Sequence, residues 1–119
     1  MPRIATTLAL ACAAFAASAG AAAAQACSEI RFAPGAFSGE VGGQVADGAP
    51  LCFTFGAGAG QTARVQILGN DNTCFTLPGI VDCQADFSFT TRARTYEVRV
   101  FQLVRRPGAE TFTLRLTIR

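Results

Sequence analysis

The chain has no histidine, no lysine and no tryptophan, and a single tyrosine. Without histidine a Ser-His-Asp triad is excluded, and Ser28, Ser38 and Ser88 are left without an imidazole base. Without lysine, the glycine-rich GAGAGQ at 56–61 lacks the G-K-[ST] ending of a phosphate loop. It also lacks the spacing of a dinucleotide fingerprint, and it reads as a hairpin connection whose glycines permit positive φ. The carboxylates Glu40, Asp47, Asp71, Asp82 and Asp86 follow no spacing that sets two of them at a fixed distance. The NDN at 70–72 lacks the closing glutamate of a calcium loop and reads as a polar hairpin turn. These absences leave no basis for expecting an enzyme, a cofactor or a metal.

What is present begins with a leader. Arg3 precedes an apolar, alanine-rich run over 4–17, and Ala24-Gln25-Ala26 forms an A-x-A cleavage site. The run is too short and too alanine-rich for a retained membrane span. Residues 1–26 are therefore expected to be a cleaved signal peptide, and 27–119 one exported domain without a transmembrane segment. Lipid attachment at Cys27 is less favoured, because Ala24 stands where a lipoprotein signal usually has leucine. The expected location is the periplasm or the outside.

Four cysteines remain after cleavage, with the spacing C-x24-C-x21-C-x8-C. No C-x2-C pair indicates zinc, and export favours oxidation. Of three possible pairings we expect Cys74 with Cys83, which bracket TLPGIVD. That leaves Cys27 with Cys52. The rest reads as strand and turn. CFTF, TARVQIL, TCFTL and DFSFTT alternate apolar and polar residues, the period of a half-buried strand. Glycine and proline clusters separate the runs, and no helical period appears after Cys27. The expectation is an all-β fold: a small antiparallel β-sandwich of seven or eight strands with two disulfides.

Charge is uneven along the chain. Residues 27–91 carry two arginines and six acids, and residues 92–119 carry seven arginines and two acids. Such asymmetry can steer a partner, or it can cancel internally across the sandwich. If the last two runs pair as a hairpin, Arg99 and Arg115 share one wet face and Arg105 and Arg106 occupy the turn. Arg99 can alternatively be held by a carboxylate such as Glu97 or Asp86. Export argues against nucleic acid as the partner.

Several segments together are similar to a known family. IRFAPGAFSGEVGG, FTFGAGAGQTARVQI, LPGIVD, YEVRVFQ and FTLRLTI, in that order, resemble the periplasmic inhibitors of g-type (goose-type) lysozyme. A more distant likeness is to bacterial pre-peptidase C-terminal β-sandwich domains. The resemblance implies a protein partner, a lysozyme whose cleft is blocked to protect peptidoglycan, and no small-molecule substrate. It points to Leu77, Pro78, Gly79 and Ile80 as contact residues, with Arg99, Arg105 and Arg106 as further matches. Asp71 and Asp82 would suit a basic lysozyme, which places the expected binding edge at 70–82. The alternative is a non-catalytic envelope structural or polysaccharide-binding module, for which a flat face with exposed aromatics would speak.

Overall fold

The computed structural model describes residues 26–119, so the leader expected over 1–26 lies, except for Ala26, outside the described residues. The strands are β1 (Ser28–Glu29), β2 (Ser38–Val45), β3 (Leu51–Ala57), β4 (Thr62–Leu68), β5 (Thr73–Leu77), β6 (Val81–Gln84), β7 (Asp86–Thr90), β8 (Arg94–Gln102) and β9 (Glu110–Ile118). They form two sheets, β1-β3-β8-β5-β6 and β2-β9-β4-β7. Every neighbouring pair is antiparallel except the two-residue β1, which runs parallel to β3. The sandwich is the expected one. The described strands number nine rather than seven or eight. One reason is that the Pro78-Gly79 turn is tight enough for the chain to resume pairing at once as β6. Another is that β1 is too short to show a period.

The alternating residues face each other across the two sheets. Phe55, Phe75, Phe112, Val65, Val98, Leu114 and Leu116 are all essentially inaccessible. Each such side chain contributes about 1.5–3 kcal/mol of burial. In β2 the inward positions are small for a reason. A Cβ on Gly39 would stand 2.7 Å from the Phe32 ring, and one on Gly43 would stand 3.1 Å from the Phe112 ring. Glycine there lets two phenylalanines fill the core beneath an edge strand.

The topology corrects three expectations. Among the described residues only β5 and β6 form a sequential hairpin within one sheet. The segment 58–61 carries the chain from β3 in one sheet to β4 in the other, and 69–72 carries it from β4 to β5, again between sheets. Neither is a hairpin turn. Four extended residues reach about 13 Å, which spans the ~10 Å between packed sheets. The last two strands do not pair either. β8 lies between β3 and β5, and β9 lies between β2 and β4. Arg99 and Arg115 therefore sit on the outer faces of different sheets, and no single basic face forms from them.

Candidate protein-docking site

Both disulfides form as expected, Cys27–Cys52 and Cys74–Cys83. They flank the centre of one outer face. Arg99 on β8 lies beside Cys52 of β3 and Thr76 of β5, and Phe101 lies beside Cys74. Arg99 is held by Glu97 on its own strand. The other carboxylate considered for it, Asp86, is taken by Arg64 in a two-pronged pair of 2.9 and 2.7 Å. Those hydrogen bonds, more than the charge itself, lower the Asp86 carboxyl below its ordinary pKa.

Charge pairing runs through the whole surface. Among the described residues six ion pairs form, and they engage every acid except Asp71 and Asp82. Two of them, Glu40 with Arg115 at 2.6 Å and Asp47 with Arg105 at 3.2 Å, join the acidic and basic parts of the sequence. The asymmetry along the chain is thus partly cancelled in space. Among the described residues no cluster of three metal-ligating side chains assembles. The side chains of Asn70 and Asn72 are spent on internal hydrogen bonds.

The residues singled out from sequence separate into two ends of β5. At one end, the four-residue turn Leu77-Pro78-Gly79-Ile80 closes with Ile80 N–H donating to Leu77 C=O at 2.9 Å. Pro78 at its second position and Gly79 at φ +80° make this a type II turn. Ile80 is 38 % exposed, whereas Leu77 lies in the core and offers nothing to a partner. Asp82 is exposed on β6. The Cys74–Cys83 bridge clamps the hairpin behind the turn.

Asp71 lies at the other end, beyond the full length of β5, roughly 13 Å of strand away. The expected edge at 70–82 is therefore two surfaces. Here Asp71 adjoins the connection 103–109, which carries Arg105 and Arg106. The organiser is Asn72, which is 3 % exposed. Its backbone carbonyl accepts from Leu103 N–H at 2.7 Å. Its side-chain oxygen accepts from Val104 N–H at 3.0 Å, and its amide donates to Val104 C=O at 2.9 Å and to both Glu110 oxygens. The side-chain amide thus pairs with Val104 as a neighbouring strand would. Asn70 in turn accepts from Asn72 N–H at 2.8 Å. Arg106 approaches Glu110 at 3.7 Å.

This bracing holds Leu103 and Val104 outward, 57 % and 56 % exposed. Sequence reasoning missed both. The available signal was two consecutive apolar residues where the strand should already have given way to a polar turn. Exposed apolar side chains on a braced loop give a partner surface to bury, and the arginines beside them are of a type enriched at binding hot spots.

The fold and the two staples define a small, disulfide-bonded β-sandwich. No protein-family model matches the sequence, and no curated protein matches it. Solved structures do match. The PliG of Aeromonas hydrophila, a periplasmic inhibitor of g-type lysozyme, is 26% identical with a TM-score of 0.67, over 77% of this chain and 95% of that one. PliG of Salmonella Typhimurium (20% identity, TM-score 0.59) and a mutant of Escherichia coli PliG (22%, 0.59) match over 76% of this chain and 96% of theirs, which supports the same fold.

Proposed function

We propose that this protein is an exported, non-catalytic inhibitor of a g-type lysozyme, acting in the periplasm by covering the enzyme's cleft. The observation that carries this reading is the likeness to Aeromonas PliG over nearly the whole of that chain. The surface supports it. A loop fixed before binding loses less entropy on docking, and 103–109 is fixed by Asn72. Arg105 and Arg106 suit the cleft of a glycoside hydrolase, which carries carboxylates. We propose Leu103, Val104, Arg105, Arg106 and Asp71 as the contact surface. The Pro78–Ile80 turn, clamped but poorer in exposed side chains, is the second candidate.

A polysaccharide-binding module is less well supported. Among the described residues the one large aromatic side chain that is mostly exposed is Phe37, so no flat aromatic face exists for sugar stacking. Titration of the mature protein against a g-type lysozyme in a cell-wall lysis assay tests the proposal. Lysis should fall to baseline near equimolar inhibitor. Full lysis at micromolar excess overturns the reading.

A further inference from the structure

The two sheets have four edges, and three of them are blunted. β1 is two residues long and stapled through Cys27. β6 has four residues, a register shift against β5, a positive φ at Cys83 and the second disulfide. β7 has five residues. Short edges, bulges and covers are how sheet proteins avoid pairing with other chains. β2 has none of these devices. It is eight residues long and pairs with β9 in eight consecutive positions without a shift. Among the described residues no backbone hydrogen bond reaches its free side. It carries neither proline nor an uncompensated charge, because Glu40 is paired with Arg115.

We infer that the β2 edge binds the β2 edge of a second copy of this chain, joining two four-stranded sheets into one of eight strands. The pattern of β2 specifies the register. Gly39, Val41 and Gly43 lie opposite the core residues Leu116, Leu114 and Phe112 of β9, so they point inward, and Ser38, Glu40, Gly42 and Gln44 point outward. A two-fold axis at Val41 keeps this alternation in phase. It sets Val41 against its own copy, Gly39 against Gly43, Glu40 against Gly42 and Ser38 against Gln44. The one acid then faces a glycine, so no like charges are opposed. The half-buried Val41 gains apolar cover from its twin. This is an isologous interface, which closes at the dimer and builds no fibre. The 103–109 loop adjoins the end of β2 through Asp47 and Arg105, but none of the residues paired in this register, 38–44, belongs to it, so the inference stands whether or not a lysozyme is the target.

The self-opposition of Val41 provides a specific test. Sedimentation equilibrium of the mature protein from about 1 to 500 μM should show a concentration-dependent monomer–dimer equilibrium. V41K and V41E should each be folded monomers, since inward charges guard an edge and here like charges meet across the axis. Mixing them should restore a 1:1 dimer. Circular dichroism checks that each variant is folded. A wild-type monomer throughout the range overturns the inference. So does a V41K dimer as strong as wild type, or a mixture of folded V41K and V41E that stays monomeric.

Discussion

Two loops at opposite ends of β5 are held in place by different chemistry. The Pro78 turn is fixed locally: proline sets one φ, glycine accepts the positive one, and a disulfide between residues nine apart closes the hairpin. The 103–109 loop is fixed from a distance by Asn72, thirty-two positions before Val104. The first device holds a small turn tip in place. The second holds two bulky apolar side chains in solvent, which unbraced backbone would let collapse onto the surface. Rigidity alone therefore does not mark the docking end, and the difference lies in what each loop presents.

The sharpest way to break this comparison is to strip each tip in turn. Leu103→Ser with Val104→Ser should raise the inhibition constant in the lysis assay by at least ~30-fold, the lost burial of two apolar side chains. Ile80→Ser should change it less than about threefold. The opposite result would move the docking end to the Pro78 turn. Neither change removes a core contact, so thermal melting should separate loss of binding from loss of fold.

Stability separates the two devices next. Replacing Cys27 and Cys52 by alanine opens a loop with a separation of 25 residues and should cost about 3.5 kcal/mol. Replacing Cys74 and Cys83 opens one of 9 and should cost somewhat under 3 kcal/mol. Asn72→Ala leaves Val104 N–H and C=O unpaired at the site and should cost about 2 kcal/mol. Denaturant unfolding ranks all three. Of Asn72→Ala and the Cys74/Cys83 pair, only the former should also weaken inhibition beyond its stability cost, because it alone releases Leu103 and Val104. Equal weakening by both would mean that the two ends are one coupled unit.

The contrast also explains what could be read in the sequence. The sandwich was legible because period-two alternation assigns Phe53, Val65 and Phe75 to a core without reference to their partners. The Cys74–Cys83 clamp was legible because its determinants lie within ten consecutive residues. Sheet membership was not. Short polar segments such as 58–61 and 69–72 are equally compatible with a hairpin and with a crossing, and only the packing of two sheets decides. That choice separated β8 from β9 and dispersed the arginines. Asn72 was hidden for the same reason. In sequence it is the third residue of a polar turn, and its role exists only because β8 ends beside it.

A variant on the other sheet calibrates these effects. Arg64 and Asp86 form their pair on the outer face of β4 and β7, each about half exposed. Hydrogen bonds from Arg64 come first in holding the Asp86 carboxyl below its ordinary value; burial opposes them, and the Arg64 charge and Gln66 add to the lowering. A lowered folded-state pKa stabilises the protein above the unfolded carboxylate range, about pH 4. The contribution disappears as pH falls through the lower folded value. Solvent screening keeps it small. Asp86→Asn should therefore cost less than any variant above at pH 7, and its unfolding midpoint should converge with wild type in strong acid. The Cys74/Cys83 variant should keep its deficit there, since loop closure carries no charge. A deficit for Asp86→Asn that persists unchanged in acid would mean that Asp86 acts through packing on β7 rather than through its ionised pair.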